Sequence, residues 1–192
     1  MKTYVVDLKS SGEGIEEALV LSENIAYEYH LTKKNSIHLR LLSEEMTGML
    51  RSVTGEMAAS FWIEEHDGQF ELHLSTNTEM YSEKRAELLS LSTPRKNAEP
   101  KGIMGKLRSL FVAAVKPEEK NVPELLKLGS SSAEETWSLN SYKAGIEGQI
   151  GENTDAKDAW DELERSIVAQ LADEVSISIK GNKVEMTIFK KF

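Results

Sequence analysis

Two alternating hairpins and three amphipathic helices, read along 192 residues, predict an α+β fold: a two-layer α/β sandwich whose mixed sheet is covered on one face by helices. The first hairpin is carried by Phe61-Trp62-Ile63 running into His66-Asp67-Gly68, with Phe70, Leu72 and Leu74 alternating on the return. Asp-Gly between alternating apolar segments is a strong short-range turn signal. The second is carried by Val175, Ile177 and Ile179, a turn at Gly181-Asn182, and Val184, Met186 and Ile188.

The remaining elements follow in order. Tyr4-Val5-Val6-Asp7-Leu8 reads as a first strand ending at Ser10-Ser11-Gly12. From Gly14, Ile15, Leu19, Ile25 and Tyr29 recur near helical spacing, and the early glutamates Glu16 and Glu17 suit a helix N-terminus. A second helix opens near Lys34-Asn35-Ser36, with Asn35 or Ser36 as cap, and ends around Thr54-Gly55. Leu42, Met46, Met49 and Val53 mark its buried stripe; Glu44 and Gly48, four apart, fall away from it. Glu79 to Leu91 has helical features and is ended by Thr93-Pro94. Arg95 to Arg108 holds five basic residues against one acid, and leads into a short amphipathic helix through Ile103, Leu107, Leu110 and Phe111. Lys116 to Asp155 reads as long loops with a strand near Trp137-Ser138-Leu139. Trp160, Leu163, Ile167 and Leu171 define one further amphipathic helix. The chain is read as one domain, 1–192, with a variable loop or lid region at about 93–155.

Composition narrows the function classes. The formal net charge is −9, from 32 acidic and 23 basic residues, so nucleic acid is not an expected partner. Cysteine is absent, which removes disulfides, thiolate metal sites and cysteine nucleophiles. The N-terminus has no signal-peptide pattern and no apolar run approaches the roughly 18 residues of a membrane span. A cytoplasmic protein with no membrane partner is expected. The four histidines lack metal-ligand spacing and read as surface residues, and Trp62, Trp137 and Trp160 read as core. There is no Walker A, Gly-x-Gly-x-x-Gly or Gly-x-Ser-x-Gly sequence.

The order helix, helix, hairpin, variable region, helix, hairpin resembles the histidine-kinase-like ATPase fold, the GHKL or Bergerat fold shared by histidine-kinase catalytic domains and anti-sigma-factor kinases. Leu41 to Gly48 looks like the family's N-box helix, Phe70 to Met80 like the strand entering its adenine motif, and Gly102-Ile103-Met104-Gly105 like its glycine-rich lid. The resemblance would make Glu44 the catalytic carboxylate, a general base toward water. Asn77, Lys101, Gly102 and Gly105 would contact nucleotide. Gly48 stands where the family carries a magnesium-binding asparagine, Thr76 where it carries the adenine-binding aspartate, and Thr78 and Met80 where it carries glycines. No cofactor and no metal are therefore expected, with ATP and magnesium the alternative. The resemblance implies a non-catalytic or weakly nucleotide-binding regulatory or signalling module with a protein partner. An ATP-binding kinase or ATPase of anti-sigma-factor type with an atypical site is the alternative, and an unrelated α+β binding domain a further one. The partner's identity and the oligomeric state are not legible in these residues.

Overall fold

Alternation in the two hairpins decides the architecture, because each strand sends every second side chain to the same face. The computed structural model describes residues 1–51, 58–77, 130–131, 136–149, 154–180 and 183–192. In chain order they form β1 (Val6–Lys9), α1 (Ile15–Glu28), α2 (Lys33–Arg51), β2 (Ala58–His66), β3 (Gln69–Asn77), β4 (Ser130–Ser131), β5 (Thr136–Ser138), α3 (Leu139–Glu147), α4 (Thr154–Glu164), α5 (Ile167–Leu171), β6 (Glu174–Lys180) and β7 (Lys183–Lys191). The seven strands make one sheet in the order β1-β2-β3-β7-β6-β5-β4. Every pairing is antiparallel, so the expected mixed sheet is corrected to an antiparallel one among the described residues.

Asp67 and Gly68, at φ 51° and 80°, make the two-residue turn that sets His66 opposite Gln69 and Trp62 opposite His73. With that register Phe61, Ile63, Phe70, Leu72 and Leu74 share a face with Val184, Met186 and Ile188 of β7, all at most 1% exposed. The helices supply the opposing layer: Leu19 and Ile25 of α1, Leu39, Leu42 and Met46 of α2, Leu139 and Ile146 of α3, and Val168 of α5 join the same core. Each fully buried aliphatic or phenyl side chain contributes on the order of 1.5–3 kcal/mol.

The α1–α2 contact is built close by small residues. Ser22 donates to Ser43 at 2.6 Å in a fully buried contact, and Ser43 donates in turn to the Leu39 carbonyl. Both hydroxyls are thus satisfied inside an apolar layer, as buried polar groups must be. Thr32 caps α2, its hydroxyl accepting from Asn35 N at 3.3 Å, so the expected cap at Asn35 or Ser36 moves back by one turn.

The β1 edge is closed by its own neighbours. Lys2 faces Glu64 and Val6 faces Phe61, so three residues, Thr3 to Val5, oppose two, Trp62 and Ile63. This is a bulge in the edge strand. Thr3 repairs it: its amide donates to Ile63 O, and Ile63 N donates to the Thr3 hydroxyl at 3.0 Å. Beyond the bulge, Lys9 N donates to Glu13 O and Gly12 N donates to Lys9 O, so the following turn consumes both backbone groups of Lys9. At Lys9 the end of β1 therefore has no free backbone pair to offer another strand.

Three further expectations change. The stretch read as long loops with a strand near Trp137 has that strand, as expected, in β5, and adds α3, capped by Ser138, whose hydroxyl accepts from Ser141 N. The single helix through Trp160 and Leu171 is two, broken before Ser166, which has extended backbone and caps α5 through Ala169 N. Ile167, expected on the apolar face, is 42% exposed, while Ala156, Ala159 and Val168 take the core positions. The expected helices over Glu79–Leu91 and through Ile103, together with Val53, the Thr54-Gly55 helix end and the Gly181-Asn182 turn, lie outside the described residues.

Gly14 caps α1 with left-handed backbone at φ 81°, and a Cβ there would run into the Asp7 carbonyl oxygen. A left-handed non-glycine residue costs about 1–3 kcal/mol, and overlap with backbone adds to it. Gly14→Ala is expected to destabilise the fold by at least about 3 kcal/mol, read as a lower urea midpoint; an unchanged midpoint would contradict this account of the β1–α1 corner.

Candidate functional site

α2 is amphipathic because Leu39, Leu42, Met46 and Leu50 turn to the sheet, which leaves the opposite side of the helix in solvent. Glu44 and Gly48 lie on that exposed side, one turn apart. Among the described residues no atom comes within 4 Å of the position a Gly48 Cβ would take, and its backbone is ordinary helix. The glycine is therefore not required by packing. Glu45, beside it, has its carboxyl raised above the usual range by burial and then by the charge of Glu44.

The end of β3 supplies the other expected residues. Thr76 shares the helix-facing side with Leu72 and Leu74, is 4% exposed, and donates its hydroxyl to the Ala58 carbonyl at 2.8 Å. Asn77 follows as an exposed residue closing the strand, opposite Lys183 of β7. Six residues separate Arg51 of α2 from Ala58 of β2, so the C-terminal end of α2, Thr76 and Asn77 gather at one end of the sandwich. Lys101, Gly102 and Gly105, and the basic stretch Arg95–Arg108, lie outside the described residues, as do Thr78 and Met80.

The sheet face turned away from the helices carries a second constellation that the sequence reading missed. Its cross-strand rows are polar: Trp62, His73, Thr187, Ser176 and Ser138 in one, and Asp7, Ser60, Ser75, Glu185, Ser178 and Thr136 in the next. Trp62 is 7% exposed yet lies outside the core cluster, which corrects its expected core role. It stacks on His73 with ring centroids 4.7 Å apart and planes 2° from parallel. His73 is 8% exposed, so of the four histidines it departs from the expected surface position. Its Nδ1 lies 3.2 Å from Glu185 and 3.3 Å from the Thr187 hydroxyl, and its Nε2, buried without a hydrogen bond, lies 3.6 Å from Glu71.

Charges tie this constellation to the edge of the sheet and to its central strand β7. Lys2 sits 4.4 Å from the Trp62 ring centroid and Lys183 5.3 Å, each within cation–π range. Glu64 accepts from the indole Nε1 at 2.8 Å and pairs with Lys2 at 3.0 Å. These contacts, the indole bond first, hold its carboxyl down at about 2. Glu185 is desolvated, which alone would raise it, but Lys183 and His73 bring it below the usual range. The signal for this cluster was present in the sequence: the Asp67-Gly68 turn fixes the pairing that sets Trp62 opposite His73. Among the described residues no group of three or more histidine or acidic side chains could hold a metal ion, and no helix is long and apolar enough to cross a membrane.

Comparison of the chain with family models, with curated proteins and with solved structures gave no match.

Two outcomes follow from this geometry. Gly48→Ala is expected to stabilise the protein by about 0.5–1 kcal/mol, the helix-interior difference between the two residues, because a methyl there meets no atom of the described residues; thermal melts would read it, and a loss of stability would show a contact at that face. For Glu64 the folded value near 2 lies below the ordinary 4.5, so its contribution is complete above about pH 4.5 and is lost as pH falls through about 2. Glu64→Gln is therefore expected to lower the urea midpoint at neutral pH by a difference that shrinks toward pH 2; a gap independent of pH would assign the loss to packing.

Proposed function

We propose that the chain is a regulatory protein-binding module on a histidine-kinase-like α/β scaffold, without a working magnesium–nucleotide site. The observation that carries this reading is position 48. One turn after the exposed Glu44, the helix face that the resemblance would turn toward a metal-bound phosphate offers no side chain at all. Magnesium takes oxygen ligands in near-octahedral geometry, and a lone exposed carboxylate is a weak anchor for it. The state of Thr76 supports the same conclusion. Its hydroxyl is buried and bonded to Ala58, and is turned to the sandwich interior among the apolar side chains of its strand. An adenine amino group would find no carboxylate acceptor there.

The alternative, an ATP-binding kinase or ATPase of anti-sigma-factor type with an atypical site, draws on the exposure of Glu44 and on Asn77 at the same end of the sandwich. Thermal melts with ATP and ADP, with and without magnesium, separate the two. The regulatory reading expects no magnesium-dependent shift at millimolar nucleotide. A ligand present at 100 times its dissociation constant would add about 2.7 kcal/mol, and a shift of that kind, abolished by Glu44→Ala, would replace the proposal with the alternative.

A further inference from the structure

No neutral form of His73 satisfies its surroundings. The strand register places it on the sheet face turned away from the helices, next to Glu71 on its own strand, Trp62 and Glu64 on β2, and Glu185 and Thr187 on β7. Both ring nitrogens are directed at carboxylates. Nδ1 lies 3.2 Å from Glu185, and the buried Nε2, which has no hydrogen bond, lies 3.6 Å from Glu71. A neutral imidazole has one donor nitrogen and one acceptor nitrogen. With the proton on Nδ1, the Nε2 lone pair is turned on Glu71. With the proton on Nε2, Nδ1 can accept from Thr187 at 3.3 Å but sets its lone pair against Glu185. Only the doubly protonated ring offers a donor to each carboxylate.

The charge balance of the cluster points the same way. Lys2 pairs with Glu64 at 3.0 Å and Lys183 with Glu185 at 2.6 Å, and both ammonium groups stand within cation–π range of the Trp62 ring. Glu71 is left over. It accepts from the uncharged Gln69 amide at 3.2 Å, and among the described residues its one cationic neighbour is the His73 ring. Three carboxylates thus face two ammonium groups, and a charged His73 is the third cation. Stacked on the indole with planes 2° from parallel, that cation also meets the negative face of the ring. His66, 61% exposed, approaches Glu64 at 3.5 Å and is the other imidazole of this region.

We propose that His73 is a proton-operated latch. On taking up its second ring proton it bridges Glu71 and Glu185, tightens its stack on Trp62 and, through Lys2, fastens the N-terminal segment to the central strands. Loss of that proton turns a lone pair on a carboxylate and leaves the cluster with a net negative charge, so the Lys2 end of the sheet loosens. The sign of the pH dependence follows. The latch adds stability on the acidic side of the imidazole range and loses it as pH rises through that range.

The test is an NMR titration of the isotope-labelled full chain between about pH 8 and about pH 5, following the His73 ring nitrogens, the Trp62 indole N–H and the amides of Lys2 and Thr3. Both His73 nitrogens are expected to carry protons at the acidic end, with the Trp62 and Lys2 signals moving through the same midpoint. Protection of the Thr3 amide, which donates to Ile63 O, is expected to rise with them. Glu71→Gln is expected to make His73 release its second proton at lower pH, and His66→Asn to leave the His73 transition in place. In urea, the gap between the parent and His73→Gln is expected to widen toward about pH 5 and narrow toward about pH 8. The proposal is overturned if His73 keeps the same number of ring protons throughout, if Trp62 and Lys2 do not follow its titration, or if Glu71→Gln titrates as the parent does. The first two outcomes are read on the unsubstituted chain, so they stand even where a variant fails to fold.

Discussion

The antiparallel pairing of β2, β3 and β7 is the constraint on which the rest of the molecule depends. A one-residue slip would move every side chain of a strand to the other face. Here that slip would bring Glu71, His73 and Ser75 into the apolar layer and turn Phe70, Leu72 and Leu74 out of it. The Asp67-Gly68 turn holds the register from one end, since both residues adopt the positive φ that a tight two-residue turn needs. Thr76 holds it from the other, bonding back to Ala58 at the start of β2. The helices then have one continuous apolar surface to cover, and α1 and α2 can approach it together because Ser22 and Ser43 keep their own contact small.

The opposite face obeys the same alternation with different residues. Side-chain bonds cross the strands there from Ser60 to Asp7, from Ser138 to Glu174 and between His73 and both Glu185 and Thr187, and the buried Trp62 is flanked by His73, Lys2 and Lys183. Lys2 belongs to the segment before the bulge and Lys183 to the start of β7, so the indole joins the edge of the sheet to its centre. Carboxylates held below their ordinary range at Glu64 and Glu185 indicate that this face is stabilised by charge where the other is stabilised by burial. Charge-dependent stability is also the part most open to pH.

Much of this was legible before any coordinates. Both hairpins, the two N-terminal helices and the helix-covered layer follow from periods of two and of three to four in the apolar residues. What escaped did so for identifiable reasons. α3 is nine residues long with Leu139, Tyr142 and Ile146 as its apolar positions, embedded in a stretch rich in serine, glycine and glutamate, so composition masked its period. The break before α5 turns on one residue, Ser166, whose capping bond outweighs the continuity of the apolar pattern on either side. Parallel against antiparallel pairing is not written in alternation at all, which is why the sheet was expected to be mixed. His73 was read with the other histidines as a surface residue and Trp62 with the other tryptophans as core, whereas their burial comes from facing each other across the β2–β3 pair. For the candidate site, the helical period already set Glu44 and Gly48 off the buried stripe, whereas the burial of Thr76 was not legible. Only the structure separates Gly48, open to solvent, from Thr76, buried against backbone.

That separation bears on how far the scaffold stands from nucleotide chemistry. At position 48 the helix would accept an asparagine without displacing any described atom, so the departure from the resemblance there is a matter of one side chain. Position 76 is different in kind. Its hydroxyl donates to a backbone carbonyl in an environment 4% exposed, and an aspartate carboxylate in its place has no proton to donate. It would set one acceptor against another and bury a charge with no cation among the described contacts of the residue it replaces, a cost of several kcal/mol unless the carboxyl neutralises. An aspartate at this position would therefore require the end of β3 to repack against β2, and that pairing also holds the register of the sheet. The two departures at the suspected site are thus unequal. The open one lies on a helix surface that packing leaves free to change, and the buried one is part of the structure that keeps the sheet in place.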